Sequence, residues 1–307
     1  MPLAQTRRDF VLSRCLYFQE LHLWPLRMTL DPQGWLENFA PEEQGHAVQL
    51  LDSFLFYSDV LVDEMFAAAF QSLSTVVVPR GEPFPRAQSM WRAFVDSVFI
   101  TYPTGENPSI TDSGIEFAKK ARQILGISED RIQPPEVVLE TLFKAGTPFP
   151  VVFVDDFVGT GHQFITTWKR AYNVPSESGA SFQRFASARK AQFYYCPVLC
   201  TSQGFRDIQV SCAQVHLAAA HVLPLQYSAL VPDSLIWPTH LQPSAFAFLH
   251  TASKRAGIPD TNGLQTDDWQ GYRKLGLTIA IDRSIPDATL PIFYWERNGW
   301  KPLMRRK

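Results

Sequence analysis

The sequence predicts an α/β fold with a mainly parallel sheet and a helical N-terminal region. Two observations carry this expectation. Beyond about residue 81, short apolar runs alternate with helical patterns: "SVFITYP", a helix from Ser113 to Leu125, "VVFVDD", a helix from Thr160 to about Ala171, then "QFYYCPVLC" and "QVHLAAAHV". Strands separated by helices in this way pair in parallel. Ahead of them, residues 41–75 carry apolar side chains at helical spacing. With 307 residues, 46% of them hydrophobic, the chain can bury one large core or two modest ones.

The helical stretch opens at Pro41, followed by Glu42 and Glu43, a favourable first turn for the helix dipole. Leu50, Leu51, Phe54, Leu55, Leu61, Met65 and Phe66 then mark its core face. In "VVVPRGEPFPRAQ" three prolines and a glycine break the pattern. A boundary is expected there, dividing the chain into a helical region, 1–80, and an α/β domain, 81–307. The end of the chain, "LGLTIAIDRSIPDATLPIFYWERNGWKPLMRRK", reads as two strands joined by a Pro-Asp turn. Trp295 and Trp300 look exposed in it, with packing at the core or sheet edge as the default.

A net charge of −2 leaves no electrostatic footprint for wholesale nucleic-acid binding, so autonomous DNA binding is not expected. Arg7, Arg8, Arg305, Arg306 and Lys307 read as solvated tails. The sequence has no charged-then-apolar start and no apolar stretch of bilayer length, and a soluble cytosolic protein without a membrane partner is expected. Cys196, Cys200, Cys212 and His216 can be drawn as a zinc set. However, "FYYCPVLC" and "CAQVHLAA" read as buried strands in which cysteine, like Cys15, is a small apolar residue.

The stretch "PVVFVDDFVGTGHQF", residues 150–164, carries the chemistry. Val151–Val154 is short and continuously apolar, as a strand buried on both faces should be. Ligands of open α/β sheets gather beyond the carboxyl ends of strands, where Asp155 and Asp156 fall. Two adjacent carboxylates are costly to bury without partners, and a ribose diol with Mg²⁺ is one suitable partner. Gly159-Thr160-Gly161 then opens a helix, whose N–H groups and dipole, with the Thr160 hydroxyl, suit a phosphate. The dinucleotide fingerprint fails at Phe164, and the Walker A sequence is absent. A buried strand ending in a capped turn remains the plain alternative.

"VVFVDDFVGTG" resembles the phosphoribosyl-diphosphate signature of type I phosphoribosyltransferases. The resemblance implies a type I phosphoribosyltransferase-like core. Asp155 and Asp156 would be the catalytic pair, facing the ribose hydroxyls and meeting Mg²⁺ through ribose or water. Phe157, Val158, Gly159, Thr160, Gly161, His162 and Gln163 would wrap the 5′-phosphate. Gly159 departs from the pattern, because many purine-specific members carry a third aspartate there. Gln163 departs as well, standing where a hydroxyl usually meets the phosphate. His162 is either a contact for phosphate, a substitute base or a surface histidine. By the same analogy Gly105, Glu106, Asn107 and Ser109, ahead of a helix capped by Asp112 or Ser113, handle the pyrophosphate, with a polar surface loop as the equal alternative. Lys119, Lys120 and Arg122 form a solvated face or a pyrophosphate clamp, and "GYRKLGL", 271–277, is the segment assigned to closing over the site.

A wider resemblance covers most of the chain. "WLENFAPEEQGHAVQLLDSFLFYSD", "PTGENPSITDSGIEFAKKARQ", "VDDFVGTGHQF" and "GYRKLGLTIAIDRSIPDATLPIFYW" are similar to the phosphoribosyltransferase-like effectors of bacterial conflict systems, the PRTase-CE group. That resemblance implies a cytoplasmic bacterial anti-phage effector, in some cases a retron toxin, restrained by a partner protein or ribonucleoprotein. Its small-molecule ligand would be phosphoribosyl diphosphate or a nucleotide, and its reaction glycosyl transfer or N-glycosidase-like cleavage at C1′. The alternative is a catalytically silent nucleotide sensor or partner-binding protein on the same fold.

Overall fold

A computed structural model describes residues 6–105, 113–145, 147–188, 191–282 and 284–306. Two compact units are present: Met1–Leu61 together with Pro224–Lys307, and Val62–Leu223. The division therefore falls at residues 61 and 223, whereas the proline-rich break suggested residue 80.

In the first unit α1 (Arg7–Glu20) is capped by Thr6, whose hydroxyl accepts from Asp9 N–H. The short α2 (Pro32–Leu36) is capped by Asp31, and a 3₁₀ turn, Pro41–Glu43, leads into α3 (Gln44–Asp52). The expected continuous helix over 41–75 is broken by β1 (Leu55–Tyr57). Its residues favour extended backbone, and Leu55 N–H donates to Thr278 O at 2.9 Å.

Next come α4 (Asp59–Ser72) and α5 (Ser74–Val77), which the proline-rich segment ends as expected. By length and composition the run Asp59–Val77 could cross a bilayer, contrary to the sequence reading. Here it packs inward through Val62, Phe66, Ala69, Phe70 and Leu73.

The second unit continues with α6 (Phe84–Ser97), β2 (Phe99–Thr101), α7 (Ser113–Leu125), α8 (Pro135–Lys144), β3 (Val151–Val158) and α9 (His162–Lys169). An antiparallel hairpin of β4 (Tyr172–Val174) and β5 (Glu177–Ala180) precedes α10 (Phe182–Ala188). Then follow β6 (Phe193–Thr201), α11 (Ser202–Ser211), β7 (Val215–Leu217) and β8 (His221–Leu223). The sheet order is β2-β3-β6-β7, with β8 also on β6, and every pairing in it is parallel. All nine residues of β6 are buried.

"QVHLAAAHV" forms two strands where one was expected, and Pro197 is the reason. A residue in a parallel ladder turns its N–H and C=O to the same neighbour. Pro197 has only the carbonyl to give, and it accepts from Ala220 N–H at 3.2 Å, between the β7 and β8 pairings. Cys212 ends α11 and lies outside any strand. The four cysteines are free and buried, and among the described residues no group of three or more His, Cys, Asp or Glu side chains is placed to hold a metal.

The chain completes the first unit with α12 (Gln242–Ala256) and β9 (Ile279–Ile281), which pairs in parallel with β1. Beyond β9 a 3₁₀ turn, Pro291–Phe293, replaces the second strand expected there. Trp295 and Trp300 are buried, not exposed: their Nε1–H groups donate to Ala256 O at 2.9 Å and Ile292 O at 3.0 Å. Trp35 stacks on Phe293 with centroids 5.4 Å apart, joining the two chain segments of this unit.

Candidate functional site

The central strand β3 runs four residues beyond its apolar run, so the aspartates lie inside it, not past its end. Val151 and Phe153 belong to an aromatic core with Phe164, Trp168, Phe182 and Tyr195. Residues two apart share a strand face, so Asp155 points to the side of Val151 and Phe153. It is 2% exposed. The Tyr195 hydroxyl donates to Asp155 Oδ2 at 2.8 Å, and Asp156 N–H donates to Asp155 Oδ1 at 3.0 Å. Burial, reinforced by the neighbouring Asp156, raises the Asp155 carboxyl well above its ordinary range; the Tyr195 hydrogen bond opposes this. The Tyr195 phenol is raised too, by burial and then by Asp155. Asp156 is 8% exposed, and its Oδ1 accepts from Phe157 N–H at 2.8 Å.

After Val158 the chain turns sharply. Gly159 O accepts from the Thr201 hydroxyl at 2.5 Å, and the same oxygen of Thr201 caps α11 by accepting from Gly204 N–H at 3.0 Å. A Cβ at Gly204 would lie 2.3 Å from Gly159 O. Gly161 has φ +75°, and a Cβ there would meet Ile208 at 2.7 Å. The turn is thus clamped onto the start of α11, and glycine is required at both approaches.

Helix α9 begins at His162, two residues later than the sequence suggested, with Gly161 as its N-cap. Gly161 supplies no side-chain cap. Ile165 N–H donates to Gly161 O at 2.9 Å, and His162 N–H reaches the Thr160 hydroxyl at 3.4 Å. Among the described residues the N–H groups of Gln163 and Phe164 have no acceptor, as first-turn groups without a cap must. The side chains of His162 and Gln163 are exposed.

The far end of α9 holds the loop after β2. Thr167 Oγ1 accepts from Thr104 N–H at 3.0 Å and donates to Thr104 O at 2.9 Å. Arg170 donates to Thr104 Oγ1 at 2.8 Å and also to Gly105 O. Gly105 is therefore tied to the helix that starts at the glycine turn. Glu106, Asn107, Ser109 and Asp112 lie outside the described residues, as does the side chain of Ser113. On α7, Lys119 is exposed and Arg122 pairs with Glu129 at 2.6 Å. Lys120 is buried and pairs with Asp63, so it is not part of a solvated face. "GYRKLGL" belongs to the first unit, where Tyr272–Lys274 forms a 3₁₀ turn.

Sequence reasoning missed Tyr195, Thr201, Gly204, Thr167 and Arg170. Thr201 carried a signal, since "TSQG" directly after a strand reads as a helix cap. Tyr195 carried none, for it reads only as one aromatic residue within a buried strand.

A parallel α/β sheet whose central strand carries an acidic pair and leads through a glycine turn into a helix is the core of a phosphoribosyltransferase-like protein. The PRTase-CE family model matches residues 32–306, nearly the whole chain, and the protein belongs to that family. No curated protein matches it.

Proposed function

We propose that the β3–α9 turn binds the 5′-phosphate of a phosphoribosyl group, presented as phosphoribosyl diphosphate or a nucleotide. The observation that carries the reading is the pair of N–H groups on Gln163 and Phe164 that find no acceptor among the described residues, behind a glycine turn packed against Thr201, Gly204 and Ile208. Donors aimed outward at a helix N-terminus suit an anion, and a fixed turn needs no ordering when the ligand arrives. The acidic pair, five and four residues before Thr160, would meet the ribose end of the same ligand.

Mg²⁺ fits this donor set when most of its oxygens come from the ligand. Asp156, 8% exposed against 2% for Asp155, is the carboxylate of the pair more open to it. Bound there, the ion would neutralise the diphosphate as the C1′–O bond breaks. Glycosyl transfer would then form a new C1′ bond to an acceptor, and cleavage would form it to water. In this scheme the loop anchored through Thr104 and Gly105 would serve the pyrophosphate. Membership of the PRTase-CE family supports an effector role, and we read the chain as a cytoplasmic anti-phage effector restrained by a partner protein or ribonucleoprotein.

Calorimetry with phosphoribosyl diphosphate and nucleoside monophosphates, with and without Mg²⁺, tests the reading. Micromolar binding that Asp156→Asn removes is expected; no binding of any of them sinks it. Growth arrest on expression, relieved by Asp156→Asn, is the expected cellular counterpart.

A second reading, ligand binding without turnover, is favoured by Gly159. That position has no side chain to take a proton from an acceptor, and its carbonyl is held by Thr201. Release of pyrophosphate or free base by the purified protein would exclude it.

A further inference from the structure

We infer that the second unit holds another binding site, a cavity between α7 and the edge of the sheet, and that it takes a small aromatic monoanion. The cavity shares no residue with the glycine turn and does not depend on the phosphoribosyl reading. Its volume is about 420 Å³, within the range of small-molecule sites. An α-helix with its side chains is about 10 Å across, so a space of this size suits a metabolite and not an element of a partner protein.

One wall is a face of α7. Ile115, Ala118, Lys119, Arg122 and Gln123 line the cavity, at the spacing that puts residues on one side of a helix. The polarity of this helix is partly inverted: Lys120 is buried and pairs with Asp63, while Ile115 stands half-buried on the cavity side. The opposite wall follows a 3₁₀ turn, Glu129–Arg131. There Ile132 joins β2 through a parallel bridge to Ile100, and Gln133 N–H donates to Ile100 O at 3.1 Å. Tyr102, just past the end of β2, also lines the space, and a Cβ at Gly114 would lie 2.7 Å from Tyr102 Cβ. Sheet pairing and close backbone packing therefore hold the cavity open before any ligand arrives.

Its chemistry is specific. Tyr102, Ile115, Ala118, Ile132 and Pro134 give it an apolar interior with an aromatic ring, which suits a planar apolar body. The charged lining residues are Lys119, Arg122 and Glu129. Arg122 and Glu129 neutralise each other at 2.6 Å. Lys119 is exposed and has no partner among the described residues, which leaves one surplus positive charge at the rim. A carboxylate or sulfonate on an aromatic body meets both requirements, whereas an uncharged or cationic molecule meets only the first.

Equilibrium dialysis of the full chain against naphthoate tests the site, with naphthalenemethanol as the uncharged counterpart. Wild type is expected to bind naphthoate with a Kd of about 100 μM and the alcohol about tenfold more weakly. Lys119→Gln should remove that preference, weakening naphthoate about tenfold and sparing the alcohol. Ile115→Trp fills the cavity and should abolish binding of both, with thermal unfolding showing that the variant folds. Gln123→Trp, at an exposed position on the same helix face, narrows the cavity without entering the core and should weaken both about fivefold or more. Phosphoribosyl diphosphate should not displace naphthoate, whether or not it binds at the glycine turn. Four results overturn the inference: no binding of naphthoate by wild type at about 5 mM, a preference for the anion that survives Lys119→Gln, binding unchanged in both tryptophan variants, or displacement by phosphoribosyl diphosphate.

Discussion

Two glycine turns in this chain are both tightly packed and differ in how their backbone donors are satisfied. Gly159–Gly161 precedes α9, and Gly271–Gly276 precedes the approach to β9. Both include left-handed glycines in close quarters: a Cβ at Gly161 would lie 2.7 Å from Ile208, and one at Gly271 would lie 2.5 Å from Ala288 O. In the second turn, however, every backbone N–H from Gly271 to Leu277 finds an acceptor within the protein. In the first, those of Gln163 and Phe164 find none among the described residues. Tight glycine packing is therefore a property of turns in general. Donors left without acceptors at a helix start are what single out a place for an anion.

Gly161→Val should break the comparison most severely. Strain at positive φ and the clash with Ile208 are expected to destabilise the second unit by about 3 kcal/mol or more and to abolish phosphate binding. Gly271→Ala meets a similar clash and should also lower stability, measured by denaturant unfolding. Its affinity for phosphate should nevertheless match wild type, and a loss there would erase the distinction.

The pH response should be the next largest effect. Burial, then Asp156, raises the folded-state carboxyl of Asp155. The unfolded chain releases that proton near pH 3.9 while the folded chain keeps it. Below that pH both states hold the proton, and the associated stability is fully present. It declines as pH rises from there through the raised folded value, by up to about 1.4 kcal/mol per pH unit. Asp155→Asn should flatten that decline in unfolding midpoints measured across the range, whereas Asp268→Asn, near the second turn, should not.

Thr201→Val removes the hydroxyl that both holds Gly159 O and caps α11, and should lower stability by about 1–2 kcal/mol. Its effect on phosphate affinity tests whether the clamp pre-forms the turn; unchanged affinity would show that the turn holds its shape alone. Arg170→Ala should act least. Freeing Thr104 and Gly105 is expected to weaken diphosphate-bearing ligands about threefold and to spare monophosphates, as read by competition binding.

Much of the second unit was legible in the sequence because its signals are local. The bounds of α7 match the expected helix, and Val151–Val154 reads as a buried strand from composition alone. The acidic pair and the glycine turn stood out for the same reason. Leu55–Tyr57 did not, because a three-residue strand inside a helical pattern is decided by its partner, Ile279–Ile281. Trp295 and Trp300 pack in the core, in line with the default reading, although neither residue carries a local mark of what covers it. Pro197 held a readable signal, since a proline within an apolar strand removes one ladder donor and divides the neighbour into two pieces.

The sequence by itself determined the parallel α/β character of the second unit and the succession of a buried strand, an acidic pair and a glycine turn. Each follows from residues adjacent along the chain, where backbone preference and polarity act directly. Only the tertiary structure decided that residues 6–61 and 224–306 form one unit, that Thr201 and Gly204 clamp the turn, and that Asp155 faces Tyr195. Those outcomes depend on which surfaces meet across 40 or more residues, as Tyr195 meets Asp155. Complementary shape and paired hydrogen bonds select them, and neither is written in any short stretch of the chain.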